Sequence, residues 1–247
     1  IKVDKIFNFA CPASPIHYQR DPIFTMTTSV IGTLNLLNLA LLHNSEFFHA
    51  STSEVYGDPE VHPQKEDYLG NVNPIGIRAC YDEGKRAAET LIFDFKRKKN
   101  LNVKVARIFN TYGPNMSRDD GRVVSNFIVN AILNKDLEIY GDGNKTRSFC
   151  YIDDLINGIN TICSPDVRSE KPFNIGNDRE FTILNLAKLV LELTNSNSNI
   201  IFKTPLADDP IKRKPDLSLI SEYNWQPEVE LKEGLKKTIK YFQTILL

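Results

Sequence analysis

The sequence predicts an α/β fold in which helices cover both faces of a parallel sheet. Two observations carry that expectation. Short strand-like runs alternate along the chain with long helical patterns, which is the signature of strand–helix–strand units rather than of an all-α or antiparallel β domain. In addition, the run EFFHASTSEVYG ends in small polar residues followed by a glycine turn, the kind of strand end that delivers side chains to a crevice. At 247 residues, 41% hydrophobic and 25% charged, the chain is long enough for one large domain, or for a nucleotide domain with a smaller satellite.

Each element follows in order. VDKIFNFA reads as a buried first strand through Val3, Ile6, Phe7 and Phe9. After the proline-rich loop CPASPIHYQRDP, Asp21 and Pro22 form the cap and first turn of a helix to about Asn44, with Val30, Leu34, Leu37 and Leu41 facing the core. The EFFHAST strand comes next. Residues 58–74, polar and proline-containing, form an irregular connection to a second long helix, ACYDEGKRAAETLIFDFKRKKN. Ala79, Ala87, Ala88, Leu91, Ile92 and Phe95 make its apolar side, and the basic run at its end is a solvated surface that suits a helix C-terminus. NVKVARIFN is another buried strand, whose Arg107 calls for a partner.

Beyond a turn-rich stretch from Thr111 to Arg122, VVSNFIVNAIL is helical, a strand lies near Leu137–Tyr140, and YIDDLINGINTIC forms a helix with an acidic start. The strand PFNIG, helix TILNLAKLVLEL, strand NIIFKT and a terminal amphipathic helix complete a smaller α/β region interleaved with the first.

Thirty basic and 31 acidic residues leave a formal charge of -1, so nothing in the overall balance calls for nucleic acid or an anionic membrane as partner. Cys11, Cys80, Cys150 and Cys163 are spread singly, fitting neither a disulfide framework nor a zinc site, and the four histidines lack metal-ligand spacing. No metal is therefore expected, and a reducing compartment is the simpler reading. No run of 18 to 20 uncharged apolar residues is expected either, so no membrane contact is predicted from this chain.

The strongest local constellation is Tyr81-Asp-Glu-Gly-Lys85. Four residues along a helix put Tyr81 and Lys85 on one face. There a lysine charge can stabilise a phenolate that removes a hydroxyl proton. An isolated pair of this kind is more often a surface pair. Thr52 stands at the end of the preceding strand, where its hydroxyl can orient a substrate hydroxyl or simply cap a turn.

Longer words decide between those readings. ACPASP, STSEVYGDPEVHPQKEDY, NPIGIRACYDEGKRAAET, ARIFNTYGP, DDGRVVSNFI, YGDGNKTRSFCYIDDL and DDPIKRKPD span almost the whole chain. Together they resemble the extended short-chain dehydrogenase/reductase family, and within it the branch that decarboxylates UDP-glucuronate. The resemblance implies a partial Rossmann-like parallel sheet with an interleaved, smaller C-terminal substrate-binding region. It implies NAD as cofactor, UDP-glucuronate as substrate, and UDP-xylose and carbon dioxide as products, through a 4-keto sugar and with NAD regenerated in each cycle.

Residue by residue, the resemblance makes Tyr81 the hydroxyl base, Lys85 its electrostatic partner and a contact for the nicotinamide ribose, and Thr52 the hydroxyl that completes the arrangement; these three also meet the cofactor. Glu54 and Arg147 are placed near the uronic carboxylate, Glu54 managing the ring and its protonation and Arg147 orienting the carboxylate or the charge left by its loss. Glu54 as a turn cap and Arg147 in a surface ion pair are the alternatives. Tyr18, Asn110, Arg122 and Arg213 are expected to bind substrate, with Arg213 reaching the diphosphate. Cys11 and Cys80 are read as packing residues.

The glycine-rich strand–loop–helix with which such a cofactor domain opens is not in this sequence; VDKIFNFA resembles a later strand, and roughly 80 to 100 residues are expected to precede it. The expected organisation is an incomplete NAD-binding domain over residues 1–110, and a mainly nucleotide-sugar-binding region over 111–247 with segments returning to the first. Family members pair as homodimers through two long helices, here about residues 22–44 and 77–98. The resemblance leaves three other readings open: a UDP-sugar epimerase, a dehydratase, or a nonenzymatic truncated dimerisation partner. Location is expected to be cytoplasmic, or the Golgi lumen if an upstream segment carries a signal anchor.

Overall fold

The computed structural model describes residues 2–168, 170–205 and 212–247. From the amino end, β1 (Lys5–Asn8) is followed by the one-turn helix α1 (Pro15–Tyr18) and by α2 (Pro22–Thr27), which runs through a π-helical turn, Thr28–Gly32, into α3 (Thr33–His43). β2 (Glu46–Thr52) ends in a 3-10 turn, Ser53–Tyr56, before α4 (Ala79–Lys99), β3 (Val103–Ile108) and β4 (Thr111–Tyr112). Then α5 (Val123–Ile132), β5 (Leu137–Tyr140), β6 (Thr146–Ser148), β7 (Cys150–Tyr151) and α6 (Ile152–Ile162) lead to β8 (Phe173–Ile175). β9 (Glu180–Thr182), α7 (Ile183–Thr194), β10 (Ile200–Lys203), β11 (Lys212–Arg213), α8 (Ser218–Ser221) and α9 (Leu231–Leu246) complete the chain.

The main sheet has the order β1-β2-β3-β8 and is parallel throughout. One face packs Phe47, Val103 and Val105 against Leu37 and Ala40 of α3 and Ile92 of α4. The other packs Phe48, Ala50, Ala106 and Phe173 against Leu155, Ile159 and Ile162 of α6, with Trp225 beyond α8. Helices therefore cover both faces, as the alternation of elements requires. A second core gathers α5, α7 and α9 around Leu137 and Ile139 of β5. Its short strands form the pairs β5–β10 and β4–β7 and the sheet β11-β6-β9. Both α6 and β8 come from the later half of the sequence yet pack on the main sheet.

Local chemistry sets the boundaries. Asp21 caps α2 by accepting from the Phe24 backbone N–H at 2.9 Å, with Pro22 in the first turn. Asn44 and Asn100 stop α3 and α4 in the left-handed region.

Three expectations are corrected. Phe7 and Phe9 are 47% and 53% exposed, because β1 is the last strand on its side of the sheet and its outer flank has no neighbour among the described residues. The buried face of the α2–α3 helix consists of Thr25, Ser29, Thr33, Leu37 and Ala40, whereas Leu41 is exposed and Val30 and Leu34 are only half-buried. Small side chains win there because α4 approaches closely: a Cβ on Gly84 would stand 3.1 Å from the Ser29 Cβ and 3.3 Å from the Met26 sulfur. Lastly, Pro22–His43 forms a 22-residue helical run that is apolar and long enough to cross a membrane by length and composition. Its threonines, serine and glycine break up the apolar pattern in the sequence, and in the fold part of its surface is buried against the rest of the chain.

Candidate functional site

The parallel sheet places the carboxyl ends of β2 and β3 side by side, with Thr52 in register with Ile108. A cleft of about 540 Å³ opens there. Its walls come from five segments: Phe9, Cys11 and Ala13 after β1; Ala50 to Glu54 at the end of β2 and just beyond it; Tyr81 and Lys85 of α4; the stretch from Ile108 to Met116 with Arg122; and Ile152 and Leu155 of α6.

Tyr81 and Lys85 lie one helical turn apart and are buried, with only 6% and 3% of their surfaces exposed. A side-chain hydrogen bond joins Thr52 to Tyr81, and Thr52 also accepts from the Glu54 backbone N–H at 3.2 Å. Lys85 Nζ donates to the Ala50 carbonyl at 2.8 Å and lies 6.0 Å from the centre of the Tyr81 ring. Burial raises the Tyr81 hydroxyl above its ordinary range, against the Thr52 hydrogen bond, and the same burial lowers the Lys85 ammonium. Tyr81 thus rests as a neutral phenol. The expected phenolate is not the form this arrangement favours by itself, because desolvation outweighs the charges around it.

Tyr18 stacks on Tyr81, with ring centroids 5.0 Å apart and planes 4° from parallel. Its hydroxyl is buried without a hydrogen-bond partner.

Glu54 sits in the 3-10 turn after β2, where two arginines converge on it. Arg213 bonds both carboxylate oxygens, at 2.5 and 2.9 Å, and Arg78 bonds Oε2 at 2.6 Å. Burial alone would raise the carboxyl, but Arg213 and Arg78 hold it down at about 2. Glu54 therefore rests as an ionised wall of the cleft, so a proton that it gives to the ring has to be supplied to it during the cycle. Arg213, expected at the diphosphate, gives its fork to Glu54 in this arrangement.

Arg147 is the register partner of Arg213 across β6 and β11, is buried, and donates to the Thr146 carbonyl at 2.8 Å. It does not line the cleft, so its expected approach to the substrate carboxylate is not seen in this arrangement. Asn110 and Arg122 do line it. Arg122 pairs with Asp120 at 2.6 and 2.8 Å and keeps 41% of its side chain exposed, which leaves it available to an anionic ligand. Of the word DDPIKRKPD, residues 208–211 lie outside the described residues. Among the described residues no group of His, Cys, Asp and Glu is arranged to hold a metal ion, and Cys11 contacts Ser29 Oγ at 3.1 Å.

Two members of the site had not been expected. Arg78, three residues before Tyr81, is a second clamp on Glu54, and Asp82, beside Tyr81, is a buried carboxyl with Oδ1 unpartnered. Residues of both types at the start of a helix are ordinarily capping or surface charges, so the sequence held no signal separating them from that role.

Residues 1–238 match the model of the GDP-mannose 4,6 dehydratase family. The chain belongs to this family of extended short-chain dehydrogenase/reductases. Among curated relatives of this dehydratase-type chain, UDP-glucuronic acid decarboxylase 1 of Arabidopsis thaliana is 52% identical over 248 residues, covering 100% of this chain and 57% of that protein. UDP-glucuronic acid decarboxylase 1 of Xenopus tropicalis is 50% identical over 244 residues, covering 98% of this chain and 58% of that protein. The chain thus spans a little over half the length of these relatives.

Solved structures give the same family picture. UDP-glucose 4-epimerase of Thermotoga maritima, crystallised with UDP-glucose, superposes with a TM-score of 0.91 at 29% identity, over 99% of this chain and 78% of that one. UDP-glucuronic acid 4-epimerase of Bacillus cereus, in complex with UDP-glucuronic acid and NAD, superposes with a TM-score of 0.89 at 25% identity, over 98% and 76%. The predicted α/β class is that of the family.

Proposed function

We propose that the protein decarboxylates UDP-glucuronate to UDP-xylose and carbon dioxide with NAD as a recycled cofactor. What carries this reading is the union of about 50% identity to named decarboxylases over almost the whole chain with a cleft that holds Thr52, Tyr81, Lys85 and a clamped Glu54 together. Epimerase structures share the fold at 25–29% identity, which makes the hydroxyl-oxidising half of the chemistry common ground and leaves the decarboxylating half to the more similar relatives.

The residues present fit NAD. Lys85 spends one donor on Ala50 and has others for ribose hydroxyls, while Phe9, Ala13, Ala50 and Ile108 offer an apolar wall to a flat ring. When bound, NAD supplies the hydride acceptor for C4 of the sugar, returns that hydride at the end of the cycle, and brings positive charge to the cleft. Thr52 and Tyr81 hold the C4 hydroxyl, and Tyr81 receives its proton as Lys85 and the added charge favour the phenolate. The resulting ketone is beta to the carboxylate, so the C5–C6 electron pair can flow into the carbonyl as carbon dioxide leaves. A proton then bonds to C5, and Tyr81 returns its own proton to the C4 oxygen. Glu54, ionised when the substrate binds, repels the substrate carboxylate and favours its departure as a neutral gas.

The test is incubation of the full-length protein with UDP-glucuronate and NAD. Release of carbon dioxide with formation of UDP-xylose is expected; a sugar nucleotide that keeps all six carbons would overturn the assignment.

We also propose a homodimer through the α2–α3 helix and α4. Ile23, Ile31 and Leu42 of the first helix are 76%, 53% and 77% exposed, an apolar surface of the kind that association covers. Sedimentation at twice the chain mass is the expected outcome. A cytoplasmic location is proposed on the strength of the four free thiols, to be checked by fractionation.

A further inference from the structure

Decarboxylation consumes a proton. UDP-glucuronate carries a carboxylate, and replacing it at C5 by hydrogen takes up one proton for each carbon dioxide released. Tyr81 is no source for it, because the proton taken from the C4 hydroxyl goes back to the same oxygen. Glu54 starts each cycle ionised between Arg78 and Arg213. The buried end of the cleft therefore needs a group that takes a proton from water and hands it inward.

Asp82 occupies that place. It follows Tyr81 on α4, so it lies about 100° further around the helix and faces a second hollow instead of the cleft. That hollow, about 180 Å³, is lined by Gly57, Asp58, Asn71, Asn73, Arg78 and Asp82 among others. Glu54 lines the cleft, Arg78 and Asp82 line the hollow, and the 2.6 Å Arg78–Glu54 contact is the partition between them. Three buried polar atoms here have no hydrogen-bond partner: Asp82 Oδ1, Arg78 Nε and Tyr18 OH. They are an acceptor, a donor and a group that does both, and the three residues feel one another electrostatically. Unsatisfied buried polar atoms are costly and uncommon; with Arg78 and Asp82 lining the hollow and Tyr18 stacked on Tyr81, these three mark a polar route from the hollow toward Tyr81.

We propose that Asp82 is the proton-relay residue of the site, taking a proton from solvent in the hollow and passing it along this route to Glu54 and so to C5. Resting on the decarboxylase reading, the step balances. The Asp82 O–H breaks and its proton bonds to Glu54; the Glu54 O–H breaks as the C5–H bond forms; Asp82 is reprotonated from water. The titration of Asp82 supports this. Burial first and then Glu54 raise it to about 7, with Glu83 adding to them, against Arg78 and Arg213; Tyr18 and Cys80 also feel it, and Asp58 lines the same hollow. A carboxyl poised there gains and loses a proton readily at neutral pH. Asp82 acts through Glu54, so its role is positioning and relay, not contact with the sugar.

The experiment follows carbon dioxide release by the full-length wild type, Asp82→Asn and Asp82→Glu with UDP-glucuronate and NAD between pH 5.5 and 9. The wild-type kcat is expected to fall above about pH 7 as Asp82 loses its proton. Asp82→Asn is expected to lower kcat at least tenfold at pH 6.5, leave KM within about twofold, and abolish that alkaline limb. Asp82→Glu, which keeps the carboxyl, is expected to restore kcat to within a few-fold and to move the limb. An alkaline limb unchanged in both variants overturns the relay, as does a loss expressed in KM alone. Should Asp82→Asn not fold, the limb of Asp82→Glu is decisive, and a limb that stays in place overturns the relay. Carbon dioxide absent from the wild type overturns the decarboxylase reading and the relay together.

Discussion

Arg213 spans both oxygens of Glu54, at 2.5 and 2.9 Å, from 159 positions away in the sequence. The pair ties the turn after β2 to β11, and β11 is itself anchored: Gln64 accepts from the Lys214 N–H at 2.8 Å and donates its own N–H to the Lys214 carbonyl at 2.9 Å. The carboxylate therefore acquires its orientation from a segment that belongs to the later part of the chain.

Replacing Arg213 with Lys keeps the charge and removes the fork. One of two charge-assisted bonds is lost, worth about 1.5–3 kcal/mol, so carbon dioxide release should fall about 10- to 100-fold in kcat/KM. The Glu54 carboxyl, held at about 2 in the fold, contributes stability that is complete above its unfolded value near 4.3 and is lost as pH falls through the folded one. Arg213→Lys should therefore unfold at a higher pH during acid titration than the wild type, and coincident acid midpoints would show that the fork is not what holds the carboxyl down.

Tyr81→Phe removes the hydroxyl that meets Thr52 and leaves the ring stacked on Tyr18. Loss of a general base is worth roughly 10²- to 10⁴-fold, so kcat should drop on that scale. UDP binding, measured by calorimetry, should stay within a few-fold of wild type, since no diphosphate contact is altered. Retention of more than about a tenth of kcat would move the base elsewhere.

How far the sequence revealed this site depends on how local each relation is. Tyr81 and Lys85 were legible because a helix repeats every 3.6 residues, and a spacing of four needs no knowledge of the rest of the fold. Thr52 was legible because a strand ending in small polar residues announces its own carboxyl end. The Arg213–Glu54 bond was not, since nothing in KRKPD distinguishes an arginine that meets a phosphate from one that meets a carboxylate. The buried face of the α2–α3 helix was not legible for a related reason: hydrophobicity points to Leu34 and Leu41, whereas the close approach of Gly84 demands a small Ser29, and Thr33 accepts from Asn8 of β1. Outward exposure of Phe7 and Phe9 follows from the sheet order, which no strand sequence encodes.

Arg107, which called for a partner on sequence grounds, finds Glu89. Its Nε reaches both oxygens at 3.1 and 3.2 Å and Nη2 reaches one at 2.8 Å, while Nη1 donates to Tyr56 OH at 3.0 Å and to the Glu66 carbonyl at 2.9 Å. Tyr56 passes the chain on to Asn174 at 2.7 Å, and Ser51 donates to Glu89. Removing one member of such a buried pair strands the other, at a cost of about 3–5 kcal/mol. Glu89→Ala should thus lower the melting temperature by about 6 °C or more. A shift under about 2 °C in calorimetry would show that the network is not holding the sheet to the loop after β2.

Asp82 has the opposite effect on stability from Glu54. A carboxyl raised in the fold to about 7 binds its proton more tightly folded than unfolded. Between its unfolded value near 4 and about 7 the folded state thus carries more protons, and stability falls as pH rises through that window. Asparagine at this position cannot ionise and escapes the penalty. Asp82→Asn should melt close to the wild type at pH 4 and above it at pH 8, by a difference on the order of 4 kcal/mol, with most of the gain developing between those values. Equal melting temperatures at pH 8 would mean that Asp82 ionises at little cost in the fold. A gain in stability accompanied by loss of the alkaline limb in carbon dioxide release would mark a residue whose burial is kept for proton transfer at the expense of the fold.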